Sequence, residues 1–253
     1  MDIIIVAMKK NKKKTEEDIT FGDLVMGIAL CFLGAPYKEK TLEAPGREKL
    51  TVNFTHFDCF TYAETVLALG RCFVDRKISE RAYKRRLKFI RYRRGVISGY
   101  SSRLHYFTDW LSDNERKKTV KDISGKISGS KRRKKINFMT AHRELYPPLK
   151  NKNQYQKMLV VEKNLSRRVF HVIGKDKLVR VQDKIKNGDI IAFAAKQEGL
   201  DVVHMGFALW QGRNLYLLHA SSKEGAVVVS QKTLAAYLKT KKNYSGIIVA
   251  RPA

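Results

Sequence analysis

The chain has 253 residues, of which 51 are Lys or Arg and 24 are Asp or Glu, giving a formal net charge of +27. Hydrophobic residues make up 43% and charged residues 30%, which fits a globular protein with a sizeable core and excludes wholesale disorder. The longest uncharged apolar stretch, residues 24–35, is shorter than the roughly 20 residues that a membrane-spanning helix needs. Three cysteines are too few for a scaffold built on disulfides.

Residues 1–17 are interpreted as a basic N-terminal arm, and residues 18–253 as a single domain. The first eight residues are largely apolar, but they precede the lysine-rich residues 9–14. A secretory signal has the reverse order, with its charged residues first. We therefore see no signal peptide in this sequence.

The first part of the domain is predicted to be helical. Apolar residues recur at helical spacing in residues 18–32. A second helix is expected to begin at Cys59, with Asp58 as its N-cap, and a third to span residues 79–94. Residues 95–150 are expected to be mostly irregular.

The later part of the chain is predicted to form strands. After Lys157 the hydrophobic period changes from that of a helix to that of a strand. The candidate strands are residues 158–161, 178–181, 189–194, 202–210, 215–220, 226–230 and 247–251. Helices followed by strands predict an α+β fold, in which the helical part packs on a C-terminal antiparallel sheet or small barrel.

Two histidines are predicted to lie side by side on one β-hairpin. Whichever residues of the QGRN segment form the turn, Trp210 faces Leu215. This register makes His204 and His219 diagonal neighbours on one face, roughly 7–8 Å apart at the backbone. Gly206, on the same face, is expected to leave open space beside both imidazoles.

Cys59 is the candidate nucleophile that these histidines would serve. A helix N-terminus stabilises a thiolate by only about 0.3–1 kcal/mol, less than the about 1.4 kcal/mol that one pKa unit represents. A neighbouring imidazolium would have to lower the thiol pKa further. We assign Cys59 as nucleophile, His204 as base and His219 as the group that orients His204. A zinc site made by the same three side chains is the less favoured alternative, because the chain has no CxxC or HExxH spacing.

Several separate segments together resemble one known family. They are Phe57-Asp58-Cys59 with Glu64, residues 100–106 with Trp110, and residues 137–139, 188–190, 200–206 and 219–222. Over residues 20–252 the chain resembles the N-acetylmuramoyl-L-alanine amidase-like family of bacterial cysteine hydrolases, within the NlpC-type papain-like superfamily. The resemblance implies a papain-like α+β fold, the triad assigned above, no cofactor, and hydrolysis of an amide bond in peptidoglycan stem peptides. The muramoyl–L-Ala bond is favoured, and the γ-D-Glu bond to the diamino acid is the alternative.

Substrate contacts are expected from the segment 100–110 and from residues beside the histidines. Arg103 is the best candidate to bind a substrate carboxylate with two hydrogen bonds. The expected substrate-binding residues are Tyr100, Ser102, Arg103, His105, Tyr106, Trp110, Asp201, Ser221 and Ser222. The alternative for segment 100–110 is a loop packed by its own aromatic side chains, and Asp201 could instead close the turn before its strand.

The net charge predicts a polyanionic partner. Basic clusters occur at residues 81–94 and 131–135, and no nucleic-acid-binding module accompanies them. We therefore favour peptidoglycan fragments or anionic cell-wall polymer over nucleic acid, and the resemblance implies a periplasmic or envelope location. The rival interpretation is a basic binding protein for such polymers without turnover.

Overall fold

The computed structural model describes residues 19–43 and 46–253, so the predicted basic arm at residues 1–17 lies outside the described residues. Within this part the chain folds into helices and one antiparallel sheet. The helices are α1 (Phe21–Leu30), α2 (Cys59–Val74), α3 (Glu80–Arg91), α4 (Phe107–Arg116), α5 (Phe138–Ala141), α6 (Lys152–Arg167), α7 (Lys175–Val181) and α8 (Leu234–Thr240). The strands are β1 (Val120–Asp122), β2 (Ser130–Arg132), β3 (Phe170–Gly174), β4 (Ile190–Ala195), β5 (Val202–Gln211), β6 (Asn214–Ser221), β7 (Ala226–Val229) and β8 (Tyr244–Pro252).

Side-chain caps set the starts of the first three helices. Thr20 caps α1, Asp58 caps α2 and Ser79 caps α3, each accepting a hydrogen bond from a backbone N–H of the first turn. These three predicted helices are confirmed. The structure adds α4, which lies in the segment that the sequence left irregular.

The sheet is open, with strand order β2-β3-β8-β4-β5-β6-β7, while β1 pairs with β8. The predicted mixture of helices and an antiparallel sheet is confirmed, and the alternative of a small barrel is wrong. Closing a barrel would require the outer edge of β7, but the segment after α1 already occupies it. Gly34 N–H donates to Val227 O, and Val227 N–H donates to Ala35 O.

Two of the predicted strands are helical. Residues 158–161 lie inside α6 and residues 178–181 lie at the end of α7. The apolar residues of such a short segment fit either period, and here neighbouring residues extend each segment into a helix. The other five predicted strands are present as β4 to β8.

The central strands are covered on both faces. Along β4, Ile190 and Ala192 pack into the cluster formed with α1, α2 and α3. The alternate residues Ile191 and Phe193 pack into the cluster formed with α7 and α8. The candidate site residues therefore come from elements on both faces of the sheet. Cys59 lies on α2, and the two histidines lie on the face turned to α8.

A buried ion pair holds the segment that leads into Cys59. Arg91 Nε donates to Glu64 Oε2 at 2.6 Å, and Arg91 Nη1 donates to the carbonyl of Thr51 at 2.6 Å. Both charged side chains are almost fully buried. Removing one partner of such a pair leaves an uncompensated charge, which costs about 3–5 kcal/mol. Glu64 thus serves the architecture around α2.

Candidate active site

The hairpin has the predicted register and brings the two imidazoles together. Trp210 pairs with Leu215 and Phe207 pairs with Leu218 across β5 and β6. His204 Nε2 lies 2.7 Å from His219 Nδ1, and the two rings are inclined by 78°. This distance is that of a direct hydrogen bond. The prediction that His204 and His219 share one face is confirmed.

Gly206 has a different role from the expected one. A Cβ at this position would lie 2.6 Å from the carbonyl oxygen of Leu218 and 2.7 Å from His219 Cβ. The space beside Gly206 is therefore filled by β6, and the expectation of open space is wrong. The missing side chain allows the strand that carries His219 to approach β5 closely.

Cys59 opens into the cavity that both histidines line. It is the first residue of α2, where the Asp58 side chain accepts hydrogen bonds from the N–H groups of Phe60 and Thr61. The cavity has a volume of about 520 Å³ and contains Cys59, His204 and His219 in its wall. Other polar lining residues are Tyr37, Ser221, Ser222, Lys223, Glu224, Ser230, Gln231, Lys232, Tyr237, Thr240, Lys241 and Tyr244.

Burial favours the neutral forms of both the thiol and the imidazoles. It raises the pKa of Cys59 to about 12, with a further contribution from the negative charge of Asp58. It lowers the pKa of His204 to about 3 and that of His219 to about 4, and the positive charge of Lys241 lowers both further. Desolvation therefore opposes the expected thiolate–imidazolium pair, which stays a prediction.

The contact between the imidazoles leaves one ring nitrogen of His204 for other partners. Its Nε2 is engaged by His219, so Nδ1 is the atom that remains to act on a neighbouring group. The His219 ring also meets the Tyr237 ring edge to face, with centroids 5.7 Å apart. His219 is thus held between His204 and α8, as an orienting group should be.

Apart from Cys59, the two histidines, Ser221 and Ser222, the lining residues were not found by the sequence reasoning, among them Tyr37, Tyr237, Lys241 and Tyr244. Tyr37 reaches the cavity because its backbone bridges to Phe57, close to Cys59. Tyr237 lies on α8, Lys241 directly follows this helix, and Tyr244 is the first residue of β8. No local motif marks them, since only the tertiary packing places α8 over the hairpin.

The structure divides the predicted substrate-binding residues into two groups. Ser221 and Ser222 line the cavity with Cys59. Arg103 does not, because its buried guanidinium donates to the carbonyl of Leu42 and pairs with the carboxylates of Glu43 and Glu48. Its expected contact with a substrate carboxylate is therefore corrected to an internal ion pair that fixes the segment near residue 43.

The remaining predicted contacts are engaged inside the protein. Trp110 is fully buried against Phe60 and Phe107, and Tyr106 donates to Glu162 Oε1 at 2.6 Å. The other internal contacts are Ser102 Oγ to Gly99 O, His105 Nε2 to Tyr100 O, Tyr100 Oη to Glu43 Oε2, and Thr108 N–H to Asp201 Oδ2. These contacts tie segment 100–110 to other parts of the protein, and its residues 107–110 belong to α4, so the alternative of a loop packed by its own aromatic side chains does not describe it. Tyr100 also lines a second cavity of about 480 Å³.

The described residues show neither a metal-binding cluster nor a membrane-spanning helix. Across residues 19–43 and 46–253, no three His, Cys, Asp or Glu side chains lie where they could jointly hold a metal ion. In the same part of the chain, no helix combines the length and the apolar character that crossing a membrane requires.

The fold and the cavity define an α+β protein with a cysteine and a pair of histidines in the wall of one cavity, and comparison with known proteins gives the family. The sequence profile of the AmiA-like, N-acetylmuramoyl-L-alanine amidase-like family matches residues 27–247. The chain belongs to this family, which confirms the resemblance seen in the sequence at the level of the amidase-like family. A comparison with curated proteins gives no significant match.

Solved structures similar to this chain include one described as an amidase. An N-acetylmuramoyl-L-alanine amidase from Bacteroides uniformis is 40% identical with a TM-score of 0.87, and the match covers 92% of this chain and 98% of that one. A Bacteroides fragilis protein, provisionally described as a xylanase, is 42% identical with a TM-score of 0.85, over 89% and 99% of the two chains. A Legionella pneumophila protein with 23% identity and a TM-score of 0.71, over 99% and 93%, shares the fold.

Proposed function

We propose that this protein is a cysteine amidase that hydrolyses an amide bond in peptidoglycan stem peptides, with the muramoyl–L-Ala bond favoured. The observation that carries the proposal is the meeting of Cys59, His204 and His219 in one cavity. These are the nucleophile, base and orienting group that acyl transfer through a thioester requires. An amidase-like family and an amidase of similar structure make peptidoglycan the natural substrate class.

The reaction starts from the neutral thiol and the neutral imidazole. As the Cys59 sulfur attacks the amide carbonyl carbon, the thiol proton passes to His204 Nδ1, and the His204 Nε2–H donates to His219 Nδ1. The imidazolium then returns its proton to the leaving nitrogen as the C–N bond breaks, which yields a thioester and a free amine. A water molecule, deprotonated by the same nitrogen, attacks the thioester and releases the carboxylate and the thiol.

There are two alternatives: cleavage of a different amide bond by the same steps, and hydrolysis of a glycosidic bond. The γ-D-Glu bond to the diamino acid would be cut by the same steps, and the mass of the products from a defined muropeptide distinguishes the two bonds. A xylanase would need two carboxylates flanking the scissile bond. Among the described residues that line the cavity, Glu224 alone carries a carboxylate, so this cavity favours amide hydrolysis.

The proposal also concerns where the protein acts and whether it hydrolyses cell-wall polymer or only binds it. A periplasmic or envelope location follows from the substrate, because intact peptidoglycan lies there. A protein that only binds cell-wall polymer would not need a hydrogen-bonded imidazole pair beside a cysteine. Turnover of a defined muropeptide therefore separates the two interpretations.

The decisive experiment replaces the nucleophile. Cys59→Ala should lower the release of the stem peptide from a muramoyl peptide by on the order of 10³-fold or more, because no other group can form the thioester. Cys31→Ala is the matched control, since Cys31 is exposed and outside the cavity, and it should keep wild-type turnover. Circular dichroism checks that both variants fold.

Retention of full hydrolysis by Cys59→Ala would contradict the cysteine mechanism. Tight binding of muropeptides by the wild-type protein, without any product by mass spectrometry, would instead support the binding protein.

A further inference from the structure

The charges around the cavity are unbalanced. Among the described residues of its wall, Lys223, Lys232 and Lys241 carry positive charge, and Glu224 is the one acidic residue. Glu224 lies 3.8 Å from Lys223, so these two partly compensate each other. The excess positive charge of the cavity wall is carried by Lys232 and Lys241.

Lys241 is the cation best placed to act on a bound molecule. It is half-buried and directly follows α8, with its Nζ 4.9 Å from the centroid of the Tyr237 ring. Tyr237 in turn packs against His219. None of the ion pairs among the described residues involves Lys241.

We propose that Lys241, seated on the Tyr237 ring, forms a subsite that binds a carboxylate of the substrate next to the residue whose amide bond is cut. The subsite rests on the proposed function, since Cys59 marks the position of the scissile bond in the same cavity. One residue of extended chain spans about 3.3–3.6 Å. A carboxylate on the second stem residue therefore stays within the cavity when the muramoyl–L-Ala bond lies at Cys59.

The electrostatics favour a carboxylate over a neutral group. An unpaired half-buried ammonium gains a charge-assisted hydrogen bond from a carboxylate, and such bonds are roughly twice as strong as neutral ones. The Lys241 charge also lowers the pKa of both His204 and His219. A bound carboxylate offsets that charge, so the two imidazoles become better proton acceptors when a substrate with this group is present.

The test compares two substrates that differ at one group. In both substrates the γ-carboxyl of the second stem residue is closed as a methylamide. N-acetylmuramoyl-L-alanyl-D-glutamate γ-methylamide then carries one free carboxylate, the α-carboxylate, and the corresponding D-isoglutamine γ-methylamide carries an α-carboxamide in its place. Lys241→Gln should raise KM for the carboxylate substrate about ten-fold and change KM for the carboxamide by less than about two-fold. Lys239→Gln, an exposed residue of α8 outside the cavity, should change neither value.

The outcomes separate this subsite from the proposed function. An equal change in KM for both substrates, or no change for either, would overturn the subsite while leaving hydrolysis intact. If the wild-type protein releases no product, the proposed function fails, and calorimetry still decides the subsite. Cys59→Ala should then bind the carboxylate compound about ten-fold more tightly than Cys59→Ala/Lys241→Gln does, and equal affinities would contradict the proposal.

Discussion

At the scale of single residues, burial acts on Cys59 and His204 in opposite directions. It raises the pKa of the thiol to about 12 and lowers that of the imidazole to about 3. Both shifts favour the neutral thiol and the neutral imidazole, which is the state from which the proposed reaction starts. In that proposal the thiol proton moves to His204 during the attack, and no ion pair forms beforehand.

The raised pKa of Cys59 predicts how this thiol reacts with iodoacetamide. In a Cys31→Ala/Cys72→Ala background, the labelling rate should rise about ten-fold per pH unit from pH 6 to pH 9, because the thiolate fraction of a group with such a pKa grows in this way. His204→Ala should label at a similar rate at pH 6. Mass spectrometry of the labelled protein gives the rate.

A rate that is already constant between pH 5 and pH 7, and that falls in His204→Ala, would show a resting thiolate–imidazolium pair instead. The neutral-pair mechanism would then have to be abandoned, while the identity of the nucleophile would stand.

Residues that follow a local rule were predictable, and those placed by tertiary packing were not. Asp58 and Cys59 follow from helix capping, and His204 and His219 follow from hairpin register. Arg103 was misjudged because Glu43 and Glu48, its partners, lie more than 50 positions earlier in the sequence. The sequence pattern shows that the guanidinium is present, but it does not show which carboxylates have already paired with it.

At the scale of elements, the site depends on how closely β6 approaches β5. Gly206 permits this approach, and its neighbours on β6 are the carbonyl of Leu218 and the Cβ of His219. Hairpin register could be predicted because side chains alternate strictly along a strand. Strand identity could not be predicted at residues 158–161, because four apolar residues satisfy a helix as well.

Because β5 and β6 lie so close together at Gly206, a single methyl group added there should disturb the site. Gly206→Ala should force β6 away from β5, shift His219 relative to His204, and lower kcat by about ten-fold or more, since small displacements of catalytic groups have large effects. Gly129→Ala is the matched control, because its Cβ would meet the carbonyl of Ser124 at the same 2.6 Å, near β2 at the far end of the sheet.

Gly206→Ala and Gly129→Ala should both lower the melting temperature. The amount by which kcat falls further in Gly206→Ala than in Gly129→Ala measures the effect on the site. Equal kcat in the two variants, with equal melting temperatures, would mean that the imidazole pair tolerates the shift.

At the scale of the whole molecule, the net charge of +27 is spread over surfaces of different kinds. On α3, Arg81, Lys84, Arg85 and Lys88 are exposed. In residues 131–135, Lys134 differs from its neighbours because its Nζ donates to the carbonyls of Ala195 and Gln197. The sequence showed one uniform basic cluster. In the structure, four of these cations form no ion pair with another described residue, and the fifth ties the segment to the end of β4.

These exposed charges are expected to act on the binding of an anionic polymer rather than on the chemical step. Exposed charges are screened over about 10 Å at 0.1 M salt. Raising salt from about 50 to about 300 mM should therefore weaken binding to whole sacculi several-fold, with little change in kcat on a small muropeptide.

The variant Lys131→Gln/Arg132→Gln/Arg133→Gln/Lys135→Gln, which keeps Lys134, should reproduce the effect of high salt on sacculi and leave the small substrate unaffected. The comparison variant changes four cations on α3: Arg81→Gln/Lys84→Gln/Arg85→Gln/Lys88→Gln. An equal loss in both variants would assign binding to total charge rather than to residues 131–135, because long-range attraction depends on the summed charge and not on its position. A fall in kcat on the small substrate would place the changed residues in the site, contrary to this division of roles. Tight binding of nucleic acid at physiological salt, lost in the first variant, would make a nucleic acid the partner of this surface.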